Sequence, residues 1–183
     1  HSSHRRQRQM CIRDSILIDQ QAAHERILFE QYLAAIENQS ATTQRQLFLT
    51  TIEVSPVDAA LLTELLPEIN AMGFDIRELG KETFVIHGIP SELKEINEQQ
   101  VIEEMIEQCK NNYSELKLNR HKNIAQTMAR SCAIKPGKRL SNKEMAALID
   151  ELFACSEPYT APNGTPTFVT FALDDLARQF EKN

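Results

Sequence analysis

The chain has 183 residues, a hydrophobic content of 42% and a formal net charge of −6, which suits one domain or two small subdomains. No apolar run approaches the roughly 18 residues of a membrane span, so nothing is expected to cross a bilayer. Four of the 20 Lys and Arg and one of the 26 Asp and Glu fall in residues 1–15, so residues 16–183 carry −9; that acidic balance excludes strong, sequence-independent DNA binding, which basic residues drive by displacing counterions.

Residues 1–15 show no apolar periodicity and no signal-peptide core. Residues 5–15 resemble the frame translation of a sequencing-library adapter, so residues 1–15 are expected to be an extension outside the fold, with the natural segment starting near Ile16 within a longer protein. Ile16-Leu17-Ile18 reads as the end of a buried strand. A helix is predicted over 22–37, with Ala23, Ile27, Leu28, Tyr32, Ala35 and Ile36 at helical spacing. Residues 38–43 read as a polar linker and 47–54 as a strand. Ser55-Pro56-Val57-Asp58 opens the next helix: serine caps, proline fits the first turn, and Asp58 stands three residues on as in a capping box. Leu61, Leu62, Leu65, Ile69 and Met72 form its buried face, Pro67 predicts a kink or split, and Gly73 suits its C-terminal end. Residues 74–79 and 83–89 are strand-like around Gly80-Lys81, which predicts a hairpin.

Asn97 with Gln100 starts a helix whose buried face is Val101, Ile102, Met105, Ile106 and Cys109. Another helix spans 120–133, and Pro136-Gly137 breaks the chain. Ser141 with Glu144 is a capping box for a helix bearing Met145, Leu148, Ile149, Leu152 and Phe153. A turn-rich stretch, 156–166, leads to a strand over 167–171, and Asp174 caps a last helix ending near Phe180. Strands and helices mix without a strict βαβ repeat, so the class is α+β or mixed α/β. Cys109, Cys132 and Cys155 are an odd, scattered set without C-x-x-C, read as reduced cytoplasmic thiols that serve as small buried hydrophobes.

The most informative run is Asp19-Gln20-Gln21-Ala22-Ala23-His24-Glu25-Arg26-Ile27-Leu28-Phe29-Glu30. It sets one carboxylate at a strand end and two more on the following helix. Positions 21 and 25 lie one turn apart on a shared face, where a His and a Glu would make a platform for a transition metal. This run resembles the D-Q-H-A, two residues, E, four residues, E signature of the endonuclease region of the MutL family of DNA mismatch-repair proteins, with Gln21 in place of the histidine. Residues 129–141, from Ala129-Arg130-Ser131-Cys132-Ala133-Ile134-Lys135 onward, resemble the family segment A-C-x-A-A-I-K-A-G-x-x-L-S, which sets Arg130 at the cysteine. Ala161-Pro162-Asn163-Gly164-Thr165-Pro166-Thr167 resembles the family's C-P-H-G-R-P-T, with Ala161, Asn163 and Thr165 replacing Cys, His and Arg. The similarity covers residues 16–183.

The resemblance implies a discontinuous dimerisation subdomain, 16–50 and 120–183, with an inserted regulatory α/β subdomain, 51–119. It implies a homodimer, with the first helix and the two C-terminal helices flanking the dimer interface. Two His and two Cys of the family's metal set are replaced, which leaves Asp19 as a candidate catalytic residue and Asp19, Glu25, Glu30 and Asn163 as candidate metal ligands. Such oxygen donors suit Mg²⁺ or Mn²⁺ better than Zn²⁺. In the alternative reading, Asp19 and Gln20 cap the helix, Glu25 and Glu30 are solvated, and Arg26 pairs with Glu30. His24 is expected at a surface or boundary. Gln44-Arg45-Gln46-Leu47-Phe48-Leu49 resembles the family's clamp-binding pattern Q-x-x-L/I-x-P, making Gln44 and Leu47 candidate contacts to a sliding clamp; the other reading is the entry to an ordinary strand.

Two functions follow from the resemblance. One is a dimerising, partner-docking module of mismatch repair, meeting DNA weakly or indirectly and a MutS-type mismatch-recognition protein through the full-length chain. The other is an active, metal-dependent nicking endonuclease. No Gly-rich phosphate loop occurs here, so ATP is expected to belong to a separate N-terminal ATPase domain.

Overall fold

The computed structural model describes residues 14–93 and 96–181. Most of the extension expected over residues 1–15 lies outside them. Strand β1 (Asp14–Ile18) begins two residues ahead of the expected boundary, because backbone pairing of Asp14 with Ala172 and of Ser15 with Phe171 is indifferent to side-chain character. Helix α1 (Gln20–Asn38) follows at once, started by Asp19 and ended by Gln39, the one described non-glycine residue with a positive φ, at 50°. Then come β2 (Thr43–Glu53), α2 (Pro56–Ala71), the hairpin β3 (Asp75–Glu78) and β4 (Thr83–Pro90), α3 (Glu98–Asn111), α4 (Tyr113–Leu118), α5 (Arg120–Cys132), α6 (Asn142–Ala154), β5 (Phe168–Ala172) and α7 (Leu173–Phe180). The chain is α+β: β1 and β5 form an antiparallel pair, and β2, β4 and β3 form an antiparallel sheet in that order.

Two apolar clusters meet on α1. The larger takes Leu28, Phe29, Tyr32 and Ile36 of α1 with Leu62, Leu65 and Ile69 of α2, Phe84 and Ile86 of β4, Ile102 and Met105 of α3, and Ile124 and Met128 of α5. The smaller takes Ala23 and Ile27 of α1 with Leu148 and Leu152 of α6, joined by Ile18, Ile134, Leu140 and Phe168. α1, α2, α3 and α5 turn buried apolar residues to these clusters, and α6 does so through Leu148 and Leu152 alone, which is how burial selects helices that are marginal alone.

Local details depart from the sequence pattern in four places. Pro67 does not split α2, which runs unbroken with residues on both sides held on one core. Ser55 accepts the Asp58 N–H, but Asp58 does not reach back to complete a box; its carboxylate pairs with Lys110 of α3 at 2.9 Å. The box at Ser141 and Glu144 is complete. Asp174 is not the cap of α7; Ala172 holds that position, and Asp174 and Asp175 occupy the first turn, where the helix dipole favours them. α4, with one buried side chain and no side-chain cap, had no periodic signal to announce it.

β2 starts at Thr43, inside the expected linker, and runs across residue 50, so it bridges the two parts expected from the sequence. Its pairing with β4 shifts register between Arg45 and Thr50, and β3 shifts against β4 between Asp75 and Ile76. Gly88 sits opposite both Arg45 and Asp75. A Cβ there would lie 2.5 Å from Thr43 Cγ2 and 3.0 Å from Gln44 O. Gly88→Ala is therefore expected to destabilise the chain by about 1–3 kcal/mol through overpacking, measured as a lower urea midpoint; an unchanged midpoint would show that the sheet relaxes freely.

Candidate functional site

The junction of β1 and α1 places the first signature residues. The Asp19 N–H donates to Thr167 O at 2.9 Å, tying the junction to the end of the 156–167 segment. Asp19 Oδ1 accepts the Gln21 and Ala22 N–H groups at 2.9 and 3.1 Å, so this carboxylate caps α1. Gln20 does not cap; its amide donates to Lys138 O at 2.8 Å, joining α1 to the turn after α5. One turn on, Gln21 Nε2 reaches Glu25 Oε1 at 3.5 Å. Glu25 is not solvated: 8% of it is exposed. Burial pushes its carboxyl above the usual range, Arg130 and Lys135 pull it down, and Asp19 pushes it up. The fold thus gathers Asp19, Gln21, Arg130 and Lys135 around Glu25.

Glu30 and Asn163 are engaged elsewhere. Glu30 accepts the Ser156 N–H at 2.8 Å and the Glu157 N–H at 3.1 Å, using both carboxylate oxygens, and stands 3.7 Å from Arg26. Asn163 Oδ1 accepts the N–H and hydroxyl of Thr165 at 3.0 and 2.7 Å, closing its own turn. Among the described residues, no group of three or more His, Cys, Asp or Glu is placed to hold a metal ion.

Two roles escaped sequence reasoning. Arg26 is 5% exposed; its Nε donates to Thr160 O at 2.6 Å, it lies 3.8 Å from Glu157, and it stacks over Phe29 at 5.4 Å. Arg26 and Glu30 together pin residues 156–160 to α1. The i,i+4 pair was visible in sequence, but partners some 130 positions away were not. His24 is half-buried at a boundary, as expected, yet it also holds the chain after α5 in place, because its Nδ1 accepts the Ile134 N–H at 2.9 Å. Burial, then the charge of Lys138, lowers its pKa to about 4, so the ring is neutral.

Elsewhere, Gln44 pairs opposite Ile89, but the ladder then breaks and residues 46–49 leave it. Leu47 is 94% exposed, Phe48 87% and Leu49 56%, so the segment enters a strand and then projects an apolar bulge. Further exposed apolar side chains stand on both faces of the β1–β5 pair, Ile16 on the Phe168 side and Leu17, Val169 and Phe171 on the other, with Met145, Ile149 and Phe153 on α6 and Leu176 and Phe180 on α7.

A family model described as the MutL C-terminal dimerisation domain matches residues 12–140. This chain belongs to that family. Its relatives include the DNA mismatch repair proteins MutL of Chlorobium phaeobacteroides strain BS1, 34% identical over 165 residues, and Chlorobium chlorochromatii strain CaD3, 36% identical over 165 residues; each alignment covers 90% of this chain and 26% of the relative. The MutL of Chloroherpeton thalassium is 34% identical over 168 residues, covering 92% of this chain and 26% of its own. The chain spans about a quarter of the length of these MutL relatives. Among the described residues, no helix is long and apolar enough to cross a membrane.

His24 supplies a pH test. With a folded pKa near 4 against an ordinary 6.5, the unfolded chain binds this proton more readily than the folded one. Its stabilising contribution is complete above pH 6.5 and is lost as pH falls toward 4, about 3 kcal/mol in all. In urea titrations across that window, His24→Gln is expected to show a shallower loss; parallel pH profiles would refute the assignment.

Proposed function

We propose that this chain serves DNA mismatch repair as the homodimerising, partner-docking end of a MutL-type protein, with the endonuclease scaffold kept and its metal chemistry given up. The observation that carries this reading is the number of large apolar side chains left exposed on β1, β5, α6 and α7. Apolar area of this kind is costly in water and marks an interface, and isologous closure around a two-fold axis covers it with the same residues of a second copy. In this reading residues 16–50 and 120–183 dimerise, residues 51–119 are the regulatory insert, and β2 runs between them. Inert thiols accord with a cytoplasmic setting: burial raises Cys109 to about 11 and Cys132 to about 12.

The residues at the signature do not fit a transition-metal centre. Asp19 Oδ1 is engaged in capping, Gln21 offers only an amide, Arg130 brings a positive charge within electrostatic reach of Glu25, and Glu30 and Asn163 hold their own loops. No hydrolytic step is assigned to them. ATP binding and contacts with DNA and a MutS-type protein belong, in this reading, to the longer protein.

In sedimentation at micromolar concentration, the chain is expected to be a dimer, and Ile149→Glu with Phe153→Glu to be a monomer; a strict monomer without substitution would overturn the dimer module. In the same preparation, supercoiled plasmid with Mn²⁺ is expected to remain uncut. Metal-dependent nicking abolished by Asp19→Asn would establish the endonuclease reading instead.

The 46–49 bulge supports docking to a sliding clamp, since Leu47, Phe48 and Leu49 offer apolar plugs beside Gln44 at no cost to the core. Leu47→Ala with Phe48→Ala is expected to weaken binding to a bacterial clamp at least about tenfold in biolayer interferometry, the loss typical of anchor side chains, without altering thermal stability. Equal binding by the variant would remove this assignment.

A further inference from the structure

A groove of 470 Å³ opens between α3, the segment after α5 and α6. It lies apart from the apolar bulge, and it uses a different face of α6 from the exposed apolar stripe. Glu144, Ala147, Leu148 and Glu151 line the groove, at the spacing of one helical face, while Met145, Ile149 and Phe153 follow another. A dimer built on the second face leaves the groove open.

Its floor is apolar. Ile96, Ile134 and Leu140 are only partly covered by the cores they pack on, and Leu148 sits among them. His24 stands at the back as a neutral ring, its Nδ1 committed to Ile134. The walls carry Glu92, Glu104, Glu144 and Glu151 against Lys135 and Lys138, and Lys135 is already paired with Glu104 at 3.1 Å. Beyond the lining, α3 adds Glu103 and Glu107, and α6 adds Asp150 on their exposed sides. An acidic rim over an apolar floor repels a nucleic-acid backbone and complements a cation with an apolar anchor.

We propose that this groove receives a short segment of a partner protein, bearing one or two large apolar side chains flanked by Lys or Arg. The apolar anchors fill the floor over Ile134, Leu140 and Leu148, and the flanking cations meet Glu92 on one wall and Glu151 on the other. An open trough between two helices fits an extended or helical peptide better than a compact metabolite, which needs enclosure for most of its surface. Charge complementarity then selects basic partners and rejects acidic ones.

The test uses the full chain and three labelled nonapeptides in fluorescence anisotropy. One carries Phe and Leu anchors three residues apart with two Arg at each end; the second exchanges the Arg for Glu; the third exchanges the anchors for Ser. The first is expected to bind with micromolar affinity that weakens as salt rises, and the other two at least about tenfold more weakly, as expected when the charge match or the anchors are lost. Two surface variants, Ala147→Arg, which blocks the trough, and Glu92→Lys with Glu151→Lys, are each expected to lower binding of the first peptide at least about tenfold while leaving the circular dichroism spectrum and the sedimentation behaviour unchanged. Equal binding of the basic and acidic peptides would overturn the proposal. So would insensitivity to both variants, displacement of the peptide by single-stranded DNA, or absence of binding.

Discussion

The structure hangs on the burial of α1 along both flanks. Ten of its residues are buried, from Ala22 to Ile36, and six of them are divided between two separate apolar clusters. One flank closes the core shared with α2, α3, α5 and the second sheet; the other closes a small core with α6. No neighbour can therefore shift without opening a cavity against α1, and close-packed interiors tolerate that poorly. The helix is fixed at its start by the Asp19 cap and by the Asp19 N–H to Thr167 O, and in its middle by the contacts of Arg26 and Glu30 to residues 156–160.

This rigidity explains how the signature region keeps its shape. The start of α1, the chain after α5 and residues 156–167 are joined by protein hydrogen bonds: the Asp19 N–H to Thr167 O, Gln20 to Lys138 O, His24 to the Ile134 N–H, Arg26 to Thr160 O, and Glu30 to the Ser156 and Glu157 N–H groups. Buried Glu25 faces Arg130 and Lys135, so its charge is offset by fixed cations of the chain itself. Breaking the part-buried bonds of Arg26 or His24 leaves a donor or acceptor largely shielded from water without its partner, which costs more than the bond contributes when made.

The three surfaces proposed for binding use side chains that the two cores leave exposed. The proposed dimer face draws on β1, β5, α6 and α7, the bulge on the break in β2, and the groove on α3, the outer face of α6 and the turn between α5 and α6. Each is apolar at its centre, but their electrostatic settings differ. The groove is rimmed by carboxylates, whereas the dimer face is a broad apolar stripe suited to self-association. Separation onto different elements, and onto different faces of α6, lets occupants bind without competing for the same side chains.

The sequence by itself determined every described helix except the short α4, because periods of apolar residues and their caps are local. The stripes of α2, α3 and α6, the Ser141 and Glu144 box and the β3–β4 hairpin were all legible, as was the family through three segments in order. It also marked Asp19 as a cap and paired Arg26 with Glu30. What stayed hidden was whatever depends on contacts distant in sequence. Glu25 reads as a solvated helix residue until α5 and its own helix bury it. Glu30 reads as a candidate ligand, and its bonds to the Ser156 and Glu157 N–H groups, some 126 positions away, carry no sequence signal. The break at residues 46–49 was invisible because strand propensity is a property of single residues, whereas register is a property of pairs. Chain order set which elements form; only the tertiary structure decided which polar groups are spent on holding them together, since each can satisfy only the partners that packing brings within reach.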